Sequence, residues 1–577
     1  MTWRRKYYVK RKRKLVRLVI GPEKTAGTLS TKFYPWILIA FLLLIYVTPL
    51  GTHGLFEPDE GRYAEIPREM VESGDYITPT LNYVKYFEKP VLTYWMSAAS
   101  FKILGESEFA ARLPSALCAL LGIAVVWGLA TRIFGRGTGV LSAITLGSSL
   151  LYFAIGTITL TDMPVSTFIT AAMAAFYVGA VSGNKRWYSL FYAAMALAVL
   201  TKGLIGVVLP AGIIFWYVVF TKKWRLIPNV LYVPGILIFF VISVPWFYLV
   251  CRENPDFFRF FFIQEHFQRY TTTMHGRYEP FWFFLPLIPA AVMPWTGFLP
   301  SLFAKGGVLR SPGSPEEKDA GIFLLVWFGV ILLFFSMSGS KLIPYIVPCV
   351  PPIAILLAAS IRRMIERGRF FGGALVCCLA VQGLFVAALF IFAMSGKYID
   401  RPAALSIAAL LSSGLFAGAF FALIRWVKRR DLSGAVSALC FGALVFTLCL
   451  QSLYIPLEKT RSAFRVAQSL ISNKMPDERI AVYGEILQGV PFYAKERVAL
   501  VDALGELEYG ASQVKESERS EWFLRKREFL RRWDSGSPFA VIIEKERLGD
   551  LFEGGVDVSK KIIDAEDYMI IFNRGER

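Results

Sequence analysis

The sequence predicts a polytopic α-helical membrane protein of about thirteen transmembrane helices, followed by a small C-terminal α/β domain. Three observations predict it. Thirteen apolar stretches run through the first 455 positions, and none contains Asp, Glu, Lys, Arg or His. The composition is 55% hydrophobic and 15% aromatic, with a mean hydropathy of +0.49, far outside the soluble range. From about residue 457 the pattern changes to interleaved short strands and charged helices.

A crossing needs about 20 predominantly apolar residues. The stretches lie near 35–50, 114–131, 138–155, 163–181, 187–201, 203–220, 229–250, 281–303, 320–337, 342–361, 370–394, 402–424 and 433–455. The fifth and sixth are short and separated by Lys202-Gly203, so a hairpin of broken helices fits them as well as two spans. An ionisable group near the bilayer midplane is costly and marks an ion or proton pathway. Its absence makes the helices a scaffold and puts polar chemistry at one face. It also argues against a lipid or sugar transporter, whose sites lie near the midplane in broken helices.

Orientation follows the Lys/Arg bias of short loops. The segment 1–33 is densely basic (Arg4, Arg5, Lys6, then Lys10 through Lys14) and is expected in the cytoplasm. Alternate loops then fall inside, at Arg132/Arg136, Lys185/Arg186, Lys222/Lys223/Arg225, Arg362/Arg363/Arg367/Arg369 and Arg425/Lys428/Arg429/Arg430. Residues 34–456 are expected to form the membrane domain, with long outside loops at about 51–113 and 251–280, and 457–577 an outside α/β domain. In the tail the pattern suggests a helix at Thr460–Lys474, strands at Arg479–Tyr483, Val498–Val501, Phe539–Glu544 and Tyr568–Phe572, and a charged helix at Glu518–Trp533. The formal charge of +19 sits in clusters abutting the spans, as topology signals and anionic-lipid contacts do, and excludes nucleic acid as a partner. No cysteine falls in the tail, so no disulfide framework or Cys-based metal motif is expected.

The outside loops carry the chemistry. Phe56-Glu57-Pro58-Asp59-Glu60-Gly61-Arg62-Tyr63 opens the first, with Pro58 suited to a first helical turn and acids beside the helix N-terminus. Asp59, Arg62, Tyr63 and Ile66 share one face of such a helix. Tyr83-Val84-Lys85-Tyr86-Phe87-Glu88-Lys89-Pro90 follows, which also reads as an aromatic belt with snorkelling lysines. The second long loop holds Glu265-His266-Phe267-Gln268-Arg269, a short third link holds Ser340-Lys341-Leu342-Ile343-Pro344-Tyr345, and Lys202 lies in an outside turn. These segments supply Arg62, Lys89, Arg269 and Lys341 beside the carboxylates Asp59, Glu88 and Asp162. Such a cluster suits a lipid phosphate or pyrophosphate, with a carboxylate as base or positioning group. A single His is a poor metal signature.

The runs at 57–63, 85–90, 161–164 (Thr-Asp-Met-Pro), 265–269 and 340–345 resemble motifs of the bacterial aminoarabinose transferases. These are polyprenyl-phosphate-dependent GT-C glycosyltransferases related to the protein mannosyltransferases. The tail is similar too, at Pro491-Phe492-Tyr493-Ala494-Lys495-Glu496-Arg497 and Gly505-Glu506-Leu507-Glu508-Tyr509-Gly510. The resemblance implies a GT-C membrane fold and Asp59 as the catalytic carboxylate, with Asp162 a second candidate. It implies Arg62 and Lys89 on the donor phosphate, with Arg269 and Lys341 added on charge and placement. Tyr63, Tyr86 and Tyr345 would line the site, with Lys202 added on its place in the outside turn, and Glu88 with His266 would be candidate contacts for a divalent metal. The implied donor is an amino sugar on undecaprenyl phosphate and the implied acceptor a lipid A phosphate, with inversion at the anomeric carbon. A related transferase that moves another sugar to a protein or glycan hydroxyl fits the same motifs. The basic N-terminal extension departs from the family pattern.

Overall fold

The computed structural model describes residues 34–268, 279–304, 307–310, 312–367, 371–395, 401–552 and 561–573. In chain order the helices that matter here are α1 (Tyr34–Val47), α2 (Asp59–Ser73), α3 (Leu92–Leu104), α4 (Glu108–Phe134), α5 (Arg136–Gly147), α6 (Leu150–Gly156), α7 (Asp162–Ser182), α8 (Arg186–Lys202), α9 (Ile205–Thr221) and α10 (Val233–Glu253). They are followed by α11 (Pro315–Met337), α12 (Val350–Arg367), α13 (Phe371–Ser395), α14 (Arg401–Arg429) and α15 (Leu432–Leu450). Among the described residues eight helices are long and apolar enough to cross a membrane, or nine if the bent pair α5–α6 forms one span. Two shorter apolar helices, Trp36–Val47 and Ile205–Thr221, accompany them.

The helix starts follow capping rules. Ser107, Ser314 and Asp431 accept the backbone N–H three residues on, and Pro315 occupies the first turn of α11. Two expected spans differ from continuous helices. The stretch near 281–303 contains Pro286, Pro289, Pro294 and Pro300, each lacking the N–H a helix interior needs. It folds as turns, a short helix Leu287–Ala291 and a 3₁₀ turn Thr296–Leu302. The stretch near 138–155 bends by 65° between α5 and α6. There Ser148 and Ser149 bond back to the carbonyls of Ile144 and Thr145, both at 2.6 Å, and the Leu150 N–H goes to the Met293 carbonyl instead of its own helix. Val241, Leu384, Ile391 and Phe420 on the outer helices are exposed, as lipid-facing side chains are.

The tail contains a six-stranded mixed sheet in the order β5-β4-β3-β6-β8-β7. Numbered after the hairpin β1 (Thr80–Leu81)–β2 (Val84–Lys85), its strands are β3 (Arg479–Tyr483), β4 (Ala499–Val501), β5 (Phe523–Leu524), β6 (Phe539–Glu544), β7 (Ile562–Ala565) and β8 (Tyr568–Phe572). Strands β5, β4, β3 and β6 run parallel, and β8 runs antiparallel to both its neighbours, β6 and β7. The expected charged helix at Glu518–Trp533 is interrupted by β5, because Phe523-Leu524 pairs with Leu500-Val501. The expected helix at Thr460–Lys474 is two helices, Tyr454–Arg461 and Phe464–Asn473. Ser462 between them is extended and forms a β-bridge with Phe56.

That bridge belongs to an extensive joint between the first loop and the tail. Asn82 and Val498 exchange hydrogen bonds of 2.8 and 2.9 Å, Leu55 N–H donates to the Tyr493 hydroxyl at 2.8 Å, and Gly54 N–H donates to Glu458 at 2.7 Å. A fully buried Arg112 fixes the loop from below. It bonds both oxygens of Glu60 at 2.8 Å and the carbonyls of Leu50, His53 and Gly54. A buried pair of this kind is stable because its remaining donors and lone pairs are also satisfied.

Candidate active site

Helix α2 begins at Asp59 with acidic residues in its first turn and ends at Gly74, whose left-handed φ of 73° suits glycine. This places Asp59, Arg62 and Tyr63 on the wall of a cavity of about 460 Å³. The segment before α3 adds Glu88 and Lys89, and the N-terminus of α7 adds Thr161 and Asp162. The C-terminus of α8 adds Lys202, and the link after α11 adds Leu342, Pro344 and Tyr345. Helix ends therefore converge on one polar site, while their apolar middles contribute nothing charged.

Arg62 is its electrostatic centre. The guanidinium pairs with both Asp59 and Glu506, lies 3.4 Å from the Tyr86 hydroxyl and sits 5.1 Å over the Tyr63 ring. Asp162 pairs with Lys202 at 2.5 Å, and that ammonium lies 4.7 Å over the Tyr345 ring. Lys89 stands 3.7 Å from the Glu88 carboxylate and donates to the Glu88 carbonyl. Asp59 remains half exposed, open to a ligand. Burial pushes the Tyr63 and Tyr86 phenols well above their ordinary range, so both stay neutral donors.

Of the residues singled out in the sequence, Asp59, Arg62, Tyr63, Glu88, Lys89, Asp162, Lys202 and Tyr345 line this cavity, and Tyr86 touches Arg62 from behind. Lys341 does not line it. Its ammonium donates to the carbonyls of Glu279 and Ser338, both at 2.7 Å. Arg269 and the side chain of His266 lie outside the described residues. Among the described residues no three His, Cys, Asp or Glu side chains converge as metal ligands. Glu88 lines the cavity as one carboxylate beside the Lys89 ammonium.

Sequence reasoning missed the roof. Ile486, Gln488, Gly505 and Glu506 come from the tail and close the cavity. The Glu506 carboxylate takes the Gln488 amide at 2.5 Å and the Tyr86 hydroxyl at 3.3 Å in addition to Arg62. Partners 444 positions apart leave no local pattern to read. Glu57 locks the roof down, accepting the backbone N–H groups of Gln488 at 2.9 Å and Gly489 at 2.6 Å. The aromatic-belt reading of the run 83–90 gives way because Tyr86 and Phe87, just after the β1–β2 hairpin, are buried in the protein. The hairpin's turn residues Asn82 and Tyr83 both have left-handed φ, at 51° and 62°.

Two family models match the chain. Residues 88–249 match dolichyl-phosphate-mannose-protein mannosyltransferase, and residues 466–573 match the aminoarabinose transferase C-terminal domain. The undecaprenyl phosphate-α-4-amino-4-deoxy-L-arabinose arabinosyl transferase of Aeromonas salmonicida is 32% identical over 520 residues, 85% of this chain and 90% of the relative. The chain belongs to this aminoarabinose transferase family. The corresponding Yersinia pestis transferase is 36% identical over 329 residues, 56% of this chain and 58% of that one. The crystal structure of the aminoarabinose transferase ArnT from Cupriavidus metallidurans bound to undecaprenyl phosphate superposes with TM-score 0.83 at 29% identity, covering 94% of this chain and 99% of that one. Its apo state gives 0.81 at 27% identity, with coverage of 95% and 99%. This member of the family is thus a multi-pass membrane glycosyltransferase with a charged cavity lined by both its membrane helices and its tail.

Proposed function

We propose that the protein transfers 4-amino-4-deoxy-L-arabinose, or a closely similar amino sugar, from undecaprenyl phosphate to a lipid A phosphate. The reaction would occur at the periplasmic face of the inner membrane. The observation that carries this reading is the cavity in which Arg62, Lys89 and Lys202 alternate with Asp59, Glu88, Asp162 and Glu506, in a chain of this family. Cations there suit the donor phosphodiester, held by charge-assisted hydrogen bonds. The N-terminus would be cytoplasmic, supported by the alternation of basic loops. The first loop and the tail would share the periplasmic side, supported by the cavity both of them line.

In the transfer an oxygen of the acceptor phosphate attacks the anomeric carbon from the face opposite the donor phosphate. The bond from that carbon to the donor oxygen breaks, its electron pair leaves with undecaprenyl phosphate, and configuration inverts. The acceptor is already anionic at neutral pH, so no proton has to be removed. Arg62 and Lys89 would stabilise charge growing on the leaving phosphate, and Asp59 would position the reacting sugar.

The test is release of undecaprenyl phosphate from labelled donor by the purified protein with lipid A present, together with mass spectrometry of lipid A from cells with and without the gene. Lipid A gaining one amino-pentose per phosphate is expected. An unmodified lipid A, with donor consumed on a hydroxyl acceptor, would replace this reading with the transferase acting on protein or glycan.

A further inference from the structure

Resting on the amino-sugar reading above, we infer that Glu506 is the specificity determinant for the donor's amine, so that the tail domain reads the sugar while the membrane domain performs the transfer. Of the cavity's four carboxylates, Asp59 precedes both matched segments and pairs with Arg62 within its own helix. Glu88 and Asp162 lie in the segment that matches the mannosyltransferase model, named for a neutral sugar. Groups placed there are suited to steps common to both families. Glu506 lies in the segment that matches the aminoarabinose transferase C-terminal domain. A group that recognises an amine is needed in one family and useless in the other.

The geometry makes Glu506 suitable. Its side chain lines the cavity at 18% exposure, held by the Gln488 amide and the Tyr86 hydroxyl, and is paired with Arg62. Its segment is seated without slack. A Cβ on Gly510 would come within 2.4 Å of the Lys85 carbonyl, and one on Gly489 within 2.6 Å of the Glu57 carboxylate. Such close approach fixes the carboxylate relative to α2 and the β1–β2 hairpin.

The Arg62–Glu506 pair is the internal equivalent of the ligand. An aminoarabinosyl phosphodiester is a zwitterion, with an anionic phosphate on one side of the sugar ring and an ammonium on the other. On binding, the phosphate takes the Arg62 guanidinium and the ammonium takes the Glu506 carboxylate, so both partners of the broken ion pair are replaced. A donor with an uncharged sugar takes Arg62 and leaves the partly shielded Glu506 carboxylate without its counter-charge. A site built to pair with a substrate's polar group rejects the analogue that lacks it, because its own group is then left unpaired.

The experiment uses the full-length protein in lipid and two donors in parallel, undecaprenyl phosphate bearing 4-amino-4-deoxy-L-arabinose and the same donor with its amine acetylated. The readout is the ratio of kcat/KM for amine over amide donor. In Glu506→Gln this ratio should fall on the order of ten- to a hundredfold, the range for a hydrogen bond to a charged group. In Glu506→Asp it should stay within about threefold of wild type. Because both donors meet the same protein sample, misfolding lowers both rates and leaves the ratio unmoved. An unchanged ratio in Glu506→Gln overturns the inference while leaving the proposed function intact. Failure of the wild-type protein to use the amine donor at all overturns the proposed function itself.

Discussion

Asp59, half exposed and paired with Arg62, is where acceptor chemistry can be tested. Asp59→Asn keeps the shape and removes the charge. With a phosphate acceptor the nucleophile is already ionised, so the loss of turnover should be large and the same from pH 7 to 9. A rate that climbs with pH in the mutant would indicate a hydroxyl acceptor whose proton must still leave. Arg62→Ala and Lys89→Ala should each lower kcat/KM on the order of ten- to a hundredfold with expression near normal, and wild-type turnover in both would remove them from the donor site. Glu57 supplies a pH signature of a different kind. Burial pushes its carboxyl from 4.5 to about 7, against the pull of the Gly489 and Gln488 amides. The folded chain therefore holds this proton more tightly than the unfolded one. The stabilisation is fully present below about pH 4.5 and is lost as pH rises through 7. His53 works the other way. Burial and Arg112 lower it to about 3, so its contribution is lost as pH falls below 6.5. Comparing Tm of wild type and Glu57→Gln cancels the His53 term. The wild-type advantage should shrink between pH 5 and 8, and a difference independent of pH would refute the buried titration.

At the scale of elements, the contact of α2 with the tail is backbone against backbone. A Cβ on Gly61 would lie 2.5 Å from the Gly489 nitrogen and 2.8 Å from the Gln488 carbonyl carbon. Gly61→Ala should therefore cost about 1–3 kcal/mol through overpacking, seen as a lower Tm, and should reduce turnover by moving Glu506 away from Arg62. Gly128→Ala in α4 is the control. Nothing lies within 4 Å of its added Cβ, so it should be neutral or stabilise by up to about 1 kcal/mol through helix propensity. Equal effects at the two positions would show that the joint tolerates slack. Elements also mark where pattern reading works. Hydropathy finds apolar stretches because each reports its own composition, and the strands β3, β4, β6 and β8 were legible from short β-branched and aromatic runs between polar turns. It is blind to backbone geometry. The four prolines near 281–303 were visible, but an average over apolar residues does not register a missing N–H. Strand β5 is two residues long and exists because β4 offers it an edge.

For the whole molecule, the first loop and the tail line one cavity, and the basic loops alternate with them along the chain. A cysteine at the exposed Ser512 should react with a membrane-impermeant maleimide in intact spheroplasts. The native cysteines, in the apolar stretches or at the end of one, should contribute little background. Labelling that appears only after lysis would invert the orientation and turn the cavity toward the cytoplasm.

By itself the sequence determined that the chain is a membrane protein, that its charged side chains gather at helix ends, and which residues of the first loop, α7 and α8 to look for in the cavity. Those facts are local. An apolar run, a helix-start proline and an acid–base face at i, i+3 spacing each depend on neighbours a few positions away. Tertiary structure decided that Asp162 meets Lys202, that Lys341 is held by carbonyls of its own surroundings, and that Glu506 closes the cavity onto Arg62. These depend on how helix ends and a distant domain are brought together. A carboxylate in a charged tail looks the same whether it faces water or a guanidinium more than four hundred residues away, because the contact exists only in the packed chain.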